Sequence, residues 1–583
     1  MAVLSPASSG LAPADWVVLG AYVIGIVAFG LWVGRGTRGI DDFFLAGRQM
    51  RWWAAGLSVM ATQISAITFV GTTGQAYTKG MSFVAFYFGL PFAMIVLSLT
   101  LVPFFYRAGV FTAYQYLERR FDPRTRTLTS LLFLLSRGLA VGVTLYAPSL
   151  VLSVILGWSE TATVALMGGT TIVYVVYGGN RSVIWTDVVQ MGLIWLGIFL
   201  CVGVAIAQLP AGFGLRDALA LAQASGRLET VDTSLDLTRP YTLWSGLIGG
   251  MFLSMAYFGC DQSQVQRYLS GRTLTESRLS LLFNAFLKVP MQFLILLTGV
   301  LVFVFFHFHP TPLLWDRAEL ARVETRADAA DLARVRAEAE AAHRERRAAA
   351  EGFAAARREG GDVVASRDAY LAAQRRLGAA EADARGLAEA VMRRPVNDVN
   401  HIFPSYVVSQ LRGGLAGLVI AVIFAAAMST LAAEFNSLAT ATMVDFYKRF
   451  LRPDGTAAHD LLVSRAFTAF WGLFAVFVAL RAGQLGRSAI EAVNLFGSYF
   501  YGSILGVFGL AVLTPRATAR GAFYGLFAGM AAVFLVSTLT PVAFLWYNVV
   551  GAVTVFTIGL LITAVAPGPR PVGDTRYLAG TAP

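Results

Sequence analysis

Polar and charged side chains interrupt the apolar segments of this chain at a few positions, where binding chemistry is to be expected. They are Gln63, Ser65, Asp187, Asp261, Lys288, Ser429, Thr430 and Glu434. Keeping an ionisable group inside an apolar segment is costly, so such groups mark ion or substrate pathways by default. None of the five histidines has a neighbour at the spacing of a zinc-binding motif. The pattern favours binding of an ion or a polar solute over metal-dependent catalysis.

The adjacent hydroxyls of Ser429 and Thr430 are suited to a cation site, because hard cations prefer oxygen ligands. Together with the carbonyl of Ala426, one turn earlier, they can supply three oxygens from a single helix. The common alternative is that each hydroxyl bonds back to the carbonyl four residues before it. The pair alone leaves both interpretations open.

The segment 61–74 makes a poor continuous helix, because it contains Gly71, Gly74 and many hydroxyl groups. Its composition suits a helix interrupted in the middle of the membrane, where freed carbonyls face a cavity. In transporters such half-helix ends bind Na⁺ or substrate, and two freed carbonyls would bring the oxygen set to five. A glycine-rich surface that packs closely on a neighbouring helix is the alternative.

The elements that must position these groups are long apolar helices. Of the 583 residues, 56% are hydrophobic and only 14% are charged, and the mean hydropathy is +0.62. Soluble domains carry about 25% charged residues, so this composition argues against a soluble enzyme. Because about 20 apolar residues span a bilayer as a helix, the sequence predicts an all-α membrane protein with about 13 transmembrane helices. The predicted spans cover approximately 15–33, 52–78, 82–106, 126–156, 161–178, 182–208, 242–268, 278–307, 405–446, 460–482, 488–514, 520–540 and 543–566.

The distribution of arginine and lysine predicts the orientation in the cell membrane. With the N-terminus outside, the cytoplasmic segments hold 21 basic residues and the short external segments hold 6. This bias favours an external N-terminus, a cytoplasmic C-terminus and an odd number of spans. It also accounts for the net charge of +11 without a nucleic acid, so the lipid bilayer is the expected partner.

Residues 316–398 depart from the apolar pattern, because they are rich in Ala, Arg and Glu and include 16 basic and 16 acidic residues. The composition predicts solvated helices outside the membrane, with a turn at Gly360 and Gly361. Two arms of about 44 and 33 residues would reach roughly 65 and 50 Å. They are either a docking arm for an external partner or an insertion that the fold tolerates.

Several motifs, in their order and spacing, resemble the sodium:solute symporter family, which includes sodium/glucose, proline, sialate, iodide and multivitamin symporters. The resemblance covers nearly the whole chain except residues 316–398. The motifs are 41–48 (DDFFLAGR), 61–74, 177–179, 185–187 with Gln190, Asp261-Gln262 with Gln266-Arg267, 426–437, and Arg516 with Gly521, Ala522 and Gly525. Each motif is weak alone, and their joint order is specific.

The resemblance implies a five-plus-five inverted-repeat core of the LeuT-like type. The implied units are residues 1–51 as an extra first helix with a cytoplasmic linker, 52–208 as the first repeat, 242–315 and 399–514 as the second repeat, 316–398 as an external helical insertion, and 520–566 as two C-terminal transmembrane helices.

The resemblance also implies a sodium site. Its ligands are the carbonyls of Ala61, Ile64 and Ala426 and the hydroxyls of Ser429 and Thr430, the same five oxygens that the segments themselves suggest. Some members bind a second sodium through hydroxyls where this chain has Ala432 and Ala433, so one Na⁺ per cycle is expected. Asp187, which matches a ligand of that second site, and Glu434 are the alternative cation ligands, although a carboxylate such as Glu434 more often pairs with an arginine.

For the solute, the resemblance implies a set of lining and gating positions: Gln63, Ser65, Thr68, Tyr87, Ser254, Tyr257 and Lys288. Lys288 matches a lysine that contacts substrate in sugar-transporting members. Tyr257 matches the inner aromatic gate, and Gln63 matches the polar residue that hydrogen-bonds it. Other sugar contacts do not carry over, so a glucose-type site is not supported.

The expected function is sodium-coupled uptake of a small polar solute (a sugar, polyol, carboxylate or vitamin) by alternating access, with no enzymatic activity. A proton-coupled symporter on the same fold is one alternative. A membrane sensor that signals through residues 316–398 is another. His307 and His309 are expected in a loop beside Pro310 rather than in a catalytic cluster.

Overall fold

The computed structural model describes residues 11–411 and 413–566. All regular elements within these residues are helices, as the composition predicts. They are α1 (Pro13–Val33), α2 (Ile40–Leu45), α3 (Trp52–Gln63), α4 (Ala66–Lys79), α5 (Leu90–Leu99), α6 (Leu101–Ala108), α7 (Ala113–Arg120), α8 (Pro123–Leu156), α9 (Glu160–Ala207), α10 (Leu215–Ala224), α11 (Gly250–Cys260), α12 (Gln262–Leu269), α13 (Leu274–Phe308), α14 (Arg317–Arg326), α15 (Ala329–Glu359), α16 (Val363–Met392), α17 (Val399–Gln410), α18 (Leu415–Ala441), α19 (Ala457–Leu513), α20 (Ala519–Leu539) and α21 (Tyr547–Val565). Arg570 and Arg576, which enter the charge count, and residues 1–10 lie outside the described residues.

The described residues contain nine helical segments long and apolar enough to cross a bilayer, or ten if the bent pair α3 and α4 is one span. The predicted count of about 13 is therefore not confirmed. Part of the difference arises because two predicted spans fall within α9 and two within α19. A straight helix of the 48 residues of α9 would exceed the hydrocarbon thickness more than twofold. Gly179, with a φ of 56°, bends α9 between its two predicted spans.

The second span is interrupted, as the sequence predicts. Helix α3 ends at Gln63, and Ile64 is extended, with φ −89° and ψ 94°. Ser65 then begins α4 as its N-cap, because its hydroxyl accepts the Thr68 amide at 3.3 Å. The two halves are bent by 59° relative to each other.

Helix α18 is the most deeply buried helix near this break. Its residues from Val419 to Ala441 are all buried, which fits a sequence that is apolar around nearly its whole circumference. Such a helix is surrounded by others, so Ser429, Thr430 and Glu434 face protein on all sides.

The 316–398 insertion forms a short helix, α14, followed by the antiparallel hairpin of α15 and α16. The hairpin turns at Gly360, which has a φ of 78°, as predicted. The predicted first arm of about 44 residues is wrong, because α15 begins only at Ala329. Asp328 stops the preceding helix and caps α15 by accepting the Ala330 amide at 2.9 Å and the Asp331 amide at 3.2 Å.

The insertion is packed onto the bundle rather than fully solvated. The buried Arg346 guanidinium donates to the Phe306 carbonyl at 2.6 Å. The buried Tyr370 hydroxyl lies 2.8 Å from His307 Nε2. Because α13 extends to Phe308, His307 lies inside this helix and not, as expected from the sequence, in a loop. His309 is the residue at which the helix ends. The apolar residues before Pro310 stay helical because the insertion packs against them.

Candidate ion and solute site

The break in the second span and the hydroxyl pair of α18 lie against each other. The Thr430 hydroxyl is 3.3 Å from the carbonyl oxygens of both Thr62 and Ile64 and 3.2 Å from that of Ala426. The first two carbonyls are free to face it because the helical ladder stops at Gln63. Oxygens from two helices that are distant in sequence thus meet in a buried setting.

Ser429 and Ala61 are the other two residues of the predicted oxygen set. Ser429 is fully buried, and its hydroxyl has no hydrogen-bond partner of standard geometry. The Ala61 carbonyl accepts the Ile64 amide at 3.0 Å, and its second lone pair remains free for another ligand. An unsatisfied buried hydroxyl costs about 1–3 kcal/mol. The Thr430 hydroxyl therefore bonds in part to the carbonyl of the preceding turn of its own helix, whereas the Ser429 hydroxyl does not.

Asp187 approaches this cluster from α9. It is fully buried, and the Ser58 hydroxyl of α3 donates to its Oδ2 atom at 2.5 Å. Its Oδ1 atom has no partner of standard geometry; the Ser429 hydroxyl is a further hydrogen-bonding neighbour of this carboxylate, and Arg267 is its cationic neighbour. One carboxylate oxygen is thus available beside the oxygen cluster, and the role of Asp187 as a second cation ligand stays a prediction.

Glu434 pairs with an arginine, the more common of the two roles considered for it. Arg137 of α8 donates to Glu434 at 3.1 Å and to Asp261 at 2.6 Å, and the Tyr501 hydroxyl donates to Asp261 at 3.1 Å. Sequence reasoning missed Arg137, although an arginine inside the predicted span 126–156 is the same signal that singled out Lys288. This network joins α8, the break between α11 and α12, α18 and α19.

The expected bond between Tyr257 and Gln63 is not present. The Tyr257 hydroxyl accepts instead from Gln264 Nε2 at 2.9 Å, and Gln63 Oε1 is buried without a partner. The chain is extended at Asp261, so Tyr257 and Gln264 belong to two separate helices, α11 and α12. The Arg137 guanidinium lies 5.1 Å from the centre of the Tyr257 ring.

Of the remaining predicted solute positions, Ser65 and Thr68 lie at the break, and Tyr87, Ser254 and Lys288 lie on other elements. The Thr68 hydroxyl is 3.2 Å from the Ser65 hydroxyl, so both lie at the start of α4. Lys288 Nζ is fully buried, has no hydrogen-bond partner and lies 5.4 Å from the centre of the Tyr87 ring. Ser254 is nearly buried on α11. The structure therefore pairs Lys288 with Tyr87 and Ser65 with Thr68.

Comparison of the sequence with known protein families gives one match over most of the chain. The model of the sodium:solute symporter family matches residues 43–331 and 374–529. The unmatched stretch between them lies inside the insertion, which is consistent with an addition to a shared fold.

Individual relatives match nearly the full chain at low identity. The sodium/sialic acid symporter of Aliivibrio fischeri is 27% identical and covers 94% of this chain and 92% of its own length. The sodium/glucose cotransporter of Vibrio parahaemolyticus is 27% identical, with coverages of 90% and 86%. A solved structure of a Na⁺-coupled sialic acid symporter, in a substrate-bound outward-open state, superposes with a TM-score of 0.76 at 23% identity, covering 96% of this chain and 99% of that one. That likeness establishes the LeuT-like fold.

Proposed function

The chain belongs to the sodium:solute symporter family, and from that premise we propose that it takes up a small polar organic solute together with Na⁺ by alternating access. It is a multi-pass membrane transporter and not an enzyme. The ion site that we propose consists of the carbonyls of Ala61, Ile64 and Ala426 and the hydroxyls of Ser429 and Thr430.

The contact between Thr430 and the Ile64 carbonyl, at 3.3 Å, is the observation that carries this proposal. A sodium ion held by oxygens of both the break and α18 binds tightly only while the two elements are close together. Sodium therefore stabilises the arrangement in which they are joined, and a ligand shifts an equilibrium only by such a difference in affinity between states. The membrane potential adds about 2.3 kcal/mol per charge per 100 mV to the driving force.

The names of the relatives support a small polar solute, since they include symporters of sialic acid, glucose, iodide, vitamins and monocarboxylates. The charge distribution of the sequence supports an external N-terminus and a cytoplasmic C-terminus. In that orientation the insertion lies outside. Its inner faces are used for packing on the bundle, so an external partner would have to bind its charged outer faces.

Transport into proteoliposomes that contain the full chain tests the proposal. Labelled sialic acid, glucose, pantothenate and lactate are offered under an inward Na⁺ gradient and under an equal K⁺ gradient. We expect at least one solute to accumulate only with Na⁺, and Thr430→Val to abolish that accumulation. The matched control is Thr468→Val, because Thr468 is also buried but bonds only within its own helix, to Ser464.

Two results would overturn the proposal. One is accumulation that is equal with K⁺ or that follows a proton gradient alone. The other is full Na⁺ dependence in the Thr430→Val protein, because the shared oxygen of the break and α18 would then be dispensable.

A further inference from the structure

A stripe of polar side chains runs along one face of α13. Asn284, Lys288 and Gln292 are spaced four residues apart and are fully buried, so neighbouring members lie about 6 Å apart along the helix. Both polar atoms of Asn284, Lys288 Nζ and Gln292 Oε1 have no hydrogen-bond partner. The Gln292 amide reaches the Thr72 hydroxyl of α4 at 3.4 Å. Because buried polar atoms are nearly always paired, three such residues on one stripe indicate a ligand.

Two close helix contacts set this stripe opposite the break. Gly56 of α3 faces α13 at Ser280, where an added Cβ would lie 2.9 Å from the Ser280 carbonyl. Gly299, further along α13, faces Thr73 of α4, and an added Cβ there would collide with the Thr73 carbonyl. The polar stripe lies between these two contacts on α13, and the break lies between them on the interrupted span. The stripe therefore lies at the same level as the break, and the contact between Gln292 and Thr72 shows that its far end faces α4.

Lys288 has no acidic partner among the described residues, whereas the arginine of the neighbouring network, Arg137, has two. Asp261 and Glu434 both bond Arg137, at 2.6 and 3.1 Å. Lys288 Nζ lies over the face of the Tyr87 ring, 5.4 Å from its centre. Among the described residues, no carboxylate contacts this ammonium group. A buried ammonium without a counter-charge is costly, and a ligand that carries a carboxylate removes that cost.

We propose that α13 selects a small organic monocarboxylate, with the carboxylate on Lys288 and the uncharged polar groups on Asn284 and Gln292. This inference rests on the proposed function, since it names the solute class of the same transporter. Amide side chains both donate and accept, so hydroxyl, carbonyl or amide groups about 6 Å from the carboxylate fit either flank. A neutral sugar or polyol leaves the ammonium without a counter-charge.

Matched pairs of acid and neutral analogue test the charge requirement on the unaltered protein. Thermal unfolding of the detergent-solubilised full chain is measured in Na⁺ with gluconate against glucose, lactate against lactamide, and pantothenate against panthenol. We expect an acid to raise the unfolding temperature and its neutral partner to raise it much less. This comparison needs no substitution, so a variant that fails to fold does not compromise it.

Variants then test the stripe. With the most stabilising acid, Lys288→Gln should weaken binding at least about tenfold, because it removes a charge-assisted hydrogen bond. Asn284→Ala and Gln292→Ala should each weaken it about three- to tenfold, as expected for one uncharged hydrogen bond. Phe286→Leu is the matched control, because Phe286 is 78% exposed on the same helix, and binding should change less than twofold.

A neutral analogue that stabilises as well as its acid overturns the inference. So does a panel in which no acid stabilises the protein, or an unchanged affinity in both Asn284→Ala and Gln292→Ala. Repeating the titration in choline separates this failure from that of the proposed function. If a neutral solute binds in a sodium-dependent way, the monocarboxylate preference is refuted and sodium coupling stands. If an acid binds equally well with and without sodium, sodium coupling is refuted and the monocarboxylate preference stands.

Discussion

Replacing Ser429 with alanine should leave the sodium-free protein as stable as before or slightly more stable, while weakening its response to sodium. The Ser429 hydroxyl is fully buried, and it approaches the Asp187 carboxylate without reaching standard hydrogen-bond geometry, so its removal breaks at most one weak internal hydrogen bond. Deleting an unsatisfied buried hydroxyl should stabilise the sodium-free protein by up to about 1 kcal/mol. The same substitution removes one of five proposed ligand oxygens, so the two conditions should respond in opposite directions.

The size of the sodium effect follows from the loss of one contact to a charged group, about 1.5–3 kcal/mol, or roughly 10- to 100-fold in affinity. At a sodium concentration about 100 times the dissociation constant, the unaltered protein gains about 2.7 kcal/mol. A variant with 100-fold weaker binding gains only about 0.4 kcal/mol at the same concentration. The difference is well within the resolution of thermal unfolding.

The measurement is a thermal unfolding titration of purified protein with NaCl, in which choline chloride keeps the ionic strength constant. Ser437→Ala is the matched control. Ser437 is buried on the same helix, but its hydroxyl bonds the Glu434 carbonyl at 3.0 Å. The control should lose a small amount of stability equally in both salts and should keep its sodium response.

Either of two outcomes would refute the reasoning. If Ser429→Ala keeps the full sodium response, its hydroxyl is not a ligand. If the variant is strongly destabilised in choline as well, the hydroxyl serves packing or hydrogen bonding in the protein itself, contrary to its unpaired state in the structure.

Three further predictions concern the surrounding networks. Glu434→Gln should cost about 1–3 kcal/mol in unfolding free energy because Arg137 loses a charged partner, while the sodium affinity of the folded protein changes less than twofold; a large loss of affinity would identify Glu434 as a cation ligand. Tyr370→Phe removes a 2.8 Å hydrogen bond to His307 and should cost about 1 kcal/mol and speed proteolysis of the insertion; unchanged values would mean that this contact does not hold it. Burial, with nearby arginines, lowers the pKa of His343 from 6.5 to about 4, so the unfolded chain binds a proton more readily. The stability that this histidine affects should be full above about pH 6.5 and fall as the pH drops towards 4; His343→Gln should flatten that part of the pH profile of thermal unfolding, and a profile that keeps its slope would contradict the assignment.

The sequence identified the elements of the site because their signals are local. Glycines and hydroxyls in residues 61–74 weaken a helix wherever it is placed, so an interruption in this stretch could be suggested without knowing its neighbours. Its position at Ile64, ahead of both glycines, came from the structure. The turn at Gly360 could also be predicted locally, because it needs only a residue that tolerates a positive φ. Ser429 and Thr430 stood out because two adjacent hydroxyls, with the Ala426 carbonyl one turn earlier, can supply three oxygens from a single helix.

The number of spans could not be predicted in the same way. Hydropathy separates residues 161–178 from 182–208, whereas the backbone of α9 continues past Gly179 with one bend. Whether such a bend reverses the chain across a membrane depends on what packs against it, and no window of sequence contains that information.

Only the tertiary structure decided which buried groups pair. Thr430 meets the Ile64 carbonyl across 366 residues of chain, Glu434 meets Arg137 rather than remaining free, and Tyr257 bonds Gln264 rather than Gln63. Backbone conformation is determined largely by adjacent residues, so the sequence alone could identify the break and the polar positions. The partner of a buried charge depends on which helices the fold brings within a few ångströms, and Arg137 and Glu434 are 297 residues apart in the sequence.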